Sequence, residues 1–137
     1  DPSSSYTICD TDVRRYAAEA LAVLVCRCEC CFRDMREVVF NSLTQTLFNP
    51  DTSLYAHYGA ILGIKAIGFI RNILPHLKSY LRFIKFELHN EFNFQDKAAN
   101  SVLILIQTSM SEFIAESSDQ DEIELATHII EDIKKIH

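Results

Sequence analysis

Apolar residues recur along nearly the whole chain at three- and four-residue spacing, the period of an α-helix packed on one face. Val13, Ala17, Ala20, Leu21, Leu24 and Val25 form one broad stripe and predict a helix from about Thr11 to Arg27, with Asp10, Thr11 and Asp12 as N-cap candidates. Cys28 to Arg33 reads as a turn. A second helix follows from about Asp34 to Phe48, its inner face carried by Val38, Val39, Leu43, Leu47 and Phe48. Asn49-Pro50-Asp51 ends it, because proline lacks the amide donor and pushes the residue before it out of the helical region.

The third predicted helix, Leu54 to Asn72, places Ala56, Gly59, Ala60 and Gly63 at short spacing. Each interior glycine costs a helix about 1 kcal/mol relative to alanine, so close approach of a neighbouring helix is expected to offset it. Pro75 suits the first turn of a fourth helix reaching Leu88, with Leu77, Leu81, Ile84 and Leu88 inward. His89 to Gln95 reads as a loop whose Phe92 and Phe94 must pack somewhere or cap the core. A fifth helix, about Asp96 to Ala115, is apolar all round between Val102 and Ile106, as expected of a helix held between others. After a break at Ser117 to Asp121, a sixth helix from Glu122 to Ile136 turns Ile123, Leu125, Ile129, Ile130 and Ile133 inward.

The expected fold is therefore all-α, a HEAT-repeat-like stack of about three antiparallel helix pairs with a pair period near 40 to 45 residues. Self-similarity between pairs is weak, which leaves an irregular helical bundle open. Residues 1–137 read as one helical-repeat domain with a flexible lead-in over residues 1–10. The start at Asp1-Pro2-Ser3, without an initiator Met, suggests a C-terminal fragment of a longer chain. Three Gly and three Pro are too few for a many-turned β fold. The longest unbroken apolar run, Ala20 to Cys26, is seven residues, short of the roughly 20 needed to span a membrane, so no membrane association is expected.

Charge adds a second pattern. The net charge is −6, yet Thr52 to Phe86 contains no acid and five bases, Lys65, Arg71, Lys78, Arg82 and Lys85. Glu112 to Asp132 carries eight acids and neither Lys nor Arg. Lys78, Arg82 and Lys85 recur at i, i+4 and i+7 and form one stripe opposite the apolar face. The stripe reads either as a solvated face or as a docking surface for acidic or extended protein segments, with Lys65, Arg71 and His76 as further candidates. DNA is the weaker reading for an acidic chain whose stripe shows no aromatic interleaving. The acids near the start of the sixth helix also complement its dipole, as do Lys134 and Lys135 at its end.

Candidate chemistry is sparse. Four of the five cysteines, Cys26, Cys28, Cys30 and Cys31, fall within six residues. Structural zinc draws ligand pairs from separated segments, and no second pair is present. The favoured reading makes Cys26 a small core residue and leaves the others at a helix end, in a reducing compartment. The five histidines are scattered, and no nucleophile elbow or phosphate-cradling loop appears. Hence no catalytic, metal or cofactor residues are assigned; a thiol- or metal-dependent enzyme centred on the cysteines is the distant alternative.

The run Thr46-Leu47-Phe48-Asn49-Pro50-Asp51-Thr52-Ser53-Leu54-Tyr55-Ala56-His57-Tyr58-Gly59-Ala60-Ile61-Leu62-Gly63-Ile64-Lys65-Ala66-Ile67-Gly68 resembles the C-terminal HEAT-repeat domain of the sixth TBP-associated factor of TFIID. A Pro-containing turn leads into a helix with an aromatic-Gly-small-Ile run and a second Gly four residues on. Tyr58, Gly59, Ile61, Gly63, Gly68 and Pro75 carry the motif. Ile73-Leu74-Pro75-His76-Leu77 and, upstream, Asp12-Val13-Arg14-Arg15-Tyr16-Ala17-Ala18 are similar too. The resemblance covers about residues 11 to 88; the turn from Cys28 to Cys31 departs from the pattern. It implies a nuclear, non-catalytic scaffold in TFIID or a SAGA-type coactivator that contacts other subunits. The family's histone-fold segment is not in this sequence, so a histone-fold partner is not expected through it. A HEAT-like adaptor of another intracellular pathway is the alternative.

Overall fold

In the computed structural model, residues 10–28, 34–88 and 96–136 are described here. They form six α-helices and, among the described residues, no strand: α1 (Asp10–Cys28), α2 (Met35–Leu47), α3 (Leu54–Ala66), α4 (Ile70–Leu88), α5 (Asp96–Glu116) and α6 (Gln120–Ile136). The all-α, HEAT-repeat-like class expected from the sequence is what the chain adopts. The lead-in over residues 1–9, the turn at 29–33 with Cys30 and Cys31, and the segment 89–95 with Phe92 and Phe94 lie outside the described residues. The helices fall into two compact units, the first ending at Ile67 and the second starting at Gly68.

In the first unit α3 packs against both α1 and α2. It is buried on nearly every side, through Leu54, His57, Tyr58, Ala60, Ile61, Gly63 and Ile64. Its glycines serve that double contact. A Cβ on Gly59 would stand 3.2 Å from Arg14 Cδ of α1, and one on Gly63 would stand 2.9 Å from Leu43 Cδ1 of α2. The expected close approach is therefore made by neighbouring side chains. The same residues line a small open cleft of about 260 Å³ between the three helices. Arg15 of α1 hydrogen-bonds the Tyr58 phenol, which holds the guanidinium further toward its charged form.

The entry into α3 is fixed by local hydrogen bonds. Ser53 is the N-cap, its Oγ accepting from Ala56 N at 3.1 Å. Asn49 Oδ1 accepts from Asp51 N at 2.9 Å, closing the turn around Pro50. His57, fully buried, reaches back from the first turn of α3, with Nε2 2.9 Å from Asn49 O and 2.7 Å from Thr52 Oγ1. A carbonyl oxygen can only accept, so Nε2 carries the proton. Thr52 Oγ1 also lies 2.8 Å from Thr46 O, at the end of α2. The linker is thus tied to both helices that it joins.

Several sequence expectations change here. The third helix was expected to run to Asn72 but ends at Ala66, because Gly68 adopts φ +85°, a left-handed conformation that terminates helices. The fourth was expected to open at Pro75, yet Pro75 lies inside α4. Burial of Ile73 and Leu74 offsets the one backbone hydrogen bond that the proline removes. On α1 the buried residues are Ala18 and Val25, whereas Val13, Tyr16, Val23 and Leu24 are exposed. Val38 of α2 is exposed too. The apolar arc of α1 is broader than the neighbour that covers it, and periodicity alone does not tell which half is covered. Cys26, expected in the core, is exposed, with Arg36 Nη2 3.8 Å from its sulfur.

In the second unit α6 packs against both α4 and α5. The core joins Ile73, Leu77, Leu81 and Ile84 to Val102, Leu103, Ile106 and Met110, and to Ala126, Ile129 and Ile133. Lys97–Glu116 of α5 is, by length and composition, the one helix among the described residues apolar enough to cross a membrane. Its inner face packs in the core, with Ala98, Ala99, Val102, Leu103 and Ile106 at most 1% exposed, but Ile104, expected to be covered like the rest of that apolar stretch, is 63% exposed. Asp119 caps α6, its Oδ1 accepting from Asp121 N at 3.0 Å and Glu122 N at 3.4 Å. Lys134 and Lys135 occupy its last turn.

Candidate interaction surface

Helix α4 divides cleanly between packing and display. Ile73, Leu74, Leu77, Tyr80, Leu81 and Ile84 occupy one arc and are buried. Burial pushes the Tyr80 phenol far above its usual range. The opposite arc carries Arg71, Pro75, Lys78, Arg82 and Lys85, all exposed. At 1.5 Å rise per residue, Lys78 to Lys85 spans about 10 Å of helix.

The basic residues do not form one set. Arg71 Nε lies 2.7 Å from Glu122 Oε2 of α6, a close ion pair without hydrogen-bond alignment. Its Cζ also stands 5.9 Å from the Phe113 ring centroid of α5, within cation-π range. Arg71 thus bridges all three helices of its unit and is already engaged. Lys78, Arg82 and Lys85 make no ion pair or hydrogen bond with any described residue. Their spacing sets like charges beside one another, which works against the helix. His76 lies on a different arc of α4 and is exposed, while Lys65 belongs to α3 in the first unit and is half-buried; both already interact within the chain.

The stripe, expected to carry no aromatic interleaving, does have an exposed aromatic member. Phe86, next to Lys85 and four residues after Arg82, is 69% exposed. A long apolar residue at i+4 from a stripe cation was the available signal. Among the described residues no group of three or more His, Cys, Asp or Glu is arranged to hold a metal ion.

These features define a class: an all-helical, HEAT-repeat-like fold, with small-residue helix contacts in its first unit and an exposed basic face on α4 of its second. Residues 3–78, more than half of the chain, match the model of the TAF6 C-terminal HEAT repeat domain. The chain belongs to that family, one of structural scaffolds that are not typically catalytic. The match takes in Tyr58, Gly59, Ile61, Gly63, Gly68 and Pro75, and it ends at Lys78. Neither a curated protein nor a solved structure matches the chain.

Proposed function

We propose that this chain is a non-catalytic interaction module of a nuclear transcription initiation complex of the TFIID type, or of a SAGA-type coactivator, that holds other subunits on its helical surfaces. Membership of the TAF6 C-terminal HEAT repeat family carries this reading. Lys78, Arg82 and Lys85, without an ion pair or hydrogen bond among the described residues, are its docking face, suited to an acidic protein segment. Charge complementarity of this kind steers encounter and selects partners.

The test is affinity capture from nuclear extract with the chain as bait, read by mass spectrometry. It is repeated with Lys78→Glu, Arg82→Glu and Lys85→Glu combined. Initiation-complex subunits are expected with the parent chain and depleted with the variant, at a nearly unchanged thermal midpoint. A folded bait that enriches no such subunit overturns the proposal. Undiminished capture by the variant removes the docking face alone.

A further inference from the structure

A row of three cations unpaired among the described residues would be satisfied by water, and a single exposed Phe is ordinary on a protein surface. Their adjacency is what needs explaining. Phe86 is 69% exposed at the C-terminal end of the stripe, beside Lys85 and one turn beyond Arg82. Lys78 to Phe86 covers about 12 Å of a single helix face. That helix is held by a fully packed opposite arc, with Leu77, Leu81 and Ile84 at most 3% exposed. The face is therefore presented on a rigid element.

The geometry points to a docking site for a short acidic protein segment that carries an apolar side chain next to its carboxylates. The acids meet Lys78, Arg82 and Lys85, and the apolar side chain covers Phe86. This rests on the interaction-module reading and names the chemistry of its partner. Exposed ion pairs are weak and salt-screened, so the charges set encounter rate and register. Burial of the apolar side chain against Phe86 adds an increment of affinity that the charges alone do not supply. A long polyanion fits less well. The same unit carries the eight acids between Glu112 and Asp132, and the chain is net −6, so a nucleic acid running past the stripe enters a repulsive field.

The test uses the full chain and three fluorescent probes. Two are synthetic acidic peptides of equal length and charge, one with Phe amid its acids and the other with Ser there; the third is a DNA oligonucleotide. Anisotropy is expected to show the Phe peptide binding about tenfold tighter than the Ser peptide. Both should weaken as salt rises to roughly 0.3 M. Phe86→Ser should abolish the tenfold gap and leave the Ser peptide's affinity unchanged, which also shows that the variant is folded. Lys78→Glu, Arg82→Glu and Lys85→Glu together should abolish binding of both. Equal affinities for the two peptides, or a gap that survives Phe86→Ser, overturn the anchor and leave the basic face standing. No binding of either peptide overturns the face itself, whatever the capture experiment returns. Tighter binding of DNA than of either peptide overturns the choice of a protein partner.

Discussion

Replacing His57 tests how the first unit is held together. Its Nε2–H faces Asn49 O at 2.9 Å and Thr52 Oγ1 at 2.7 Å, and the residue is fully buried. Leucine has similar volume but no donor, so His57→Leu isolates the polar contribution. The Asn49 carbonyl keeps the Thr52 amide at 3.2 Å, so it is not orphaned. The Thr52 oxygen loses its donor, and its one proton must choose between Thr46 O and Asn49 O, each 2.8 Å away. The expected loss is one net hydrogen bond plus a partly unsatisfied oxygen, about 1–2 kcal/mol. His57→Ala adds a cavity and is expected to cost about 3 kcal/mol. Urea unfolding followed by far-UV circular dichroism, at unchanged m-value, measures both. A cycle with Thr52→Val should give a coupling of about 1 kcal/mol, since both side chains serve one network. If His57→Leu is as stable as the parent, the network contributes nothing and the linker is held by packing alone. If the leucine and alanine variants lose equally, the packing part of the argument fails.

Four further substitutions test helix propensity, close packing, an unsatisfied hydroxyl and an ion pair. Gly59→Ala should be neutral to stabilising by up to about 1 kcal/mol, because helix propensity gains and only the flexible Arg14 side chain must shift; Gly63→Ala meets Leu43 at 2.9 Å and should lose most or all of that gain, with Leu43→Ala restoring it, all read by urea unfolding. Ser109, only 2% exposed, has an Oγ without a hydrogen-bond partner among the described residues, so Ser109→Ala should stabilise by about 1 kcal/mol and raise the thermal midpoint; a clear loss would reveal a hidden bond. Arg71→Ala should destabilise by about 1 kcal/mol and couple to Glu122→Gln by no more than about that, given its exposure, while leaving acidic-peptide affinity intact; a peptide that no longer binds would return Arg71 to the docking set.

Most of the fold was legible because six apolar stripes are long and periodic, and the stops at Pro50 and after Glu116 obey local rules. The central misreading lay between Ile67 and Pro75. Pro75 suits a helix start in sequence, but Gly68 supplies the positive φ that ends α3. Ile70, Ile73, Leu74 and Leu77 repeat at i, i+3, i+4 and i+7, so the helix was already written before the proline. On α1 the sequence showed that the arc is apolar but not its covered half, which depends on where α3 lies. The glycines of α3 announced close packing, and the structure supplies its partners, Arg14 and Leu43. His57 gave no periodic signal at all. Its role depends on a turn that brings Asn49 and Thr52 back over the first turn of α3, a relation of space rather than of spacing.

The basic stripe shows why charge patterns are harder to read than apolar ones. Arg71, Lys78, Arg82 and Lys85 are equivalent in sequence, at i, i+7, i+11 and i+14 on one arc of α4. Folding separates them. Arg71 sits near the helix start, where Glu122 at the start of α6 and Phe113 of α5 come within reach, so it serves the fold. The remaining three lie beyond those partners, with Phe86 exposed beside them. Nothing in the packing of α4 requires them, since its buried arc is complete without them; Lys85 in the last turn complements the helix dipole, but the neighbouring like charges repel one another. A solvated face could be built as well from alternating signs, which would stabilise the helix through i, i+4 pairs. A row of one sign next to an exposed aromatic has the opposite effect on the isolated fold, and a partner of complementary charge reverses it.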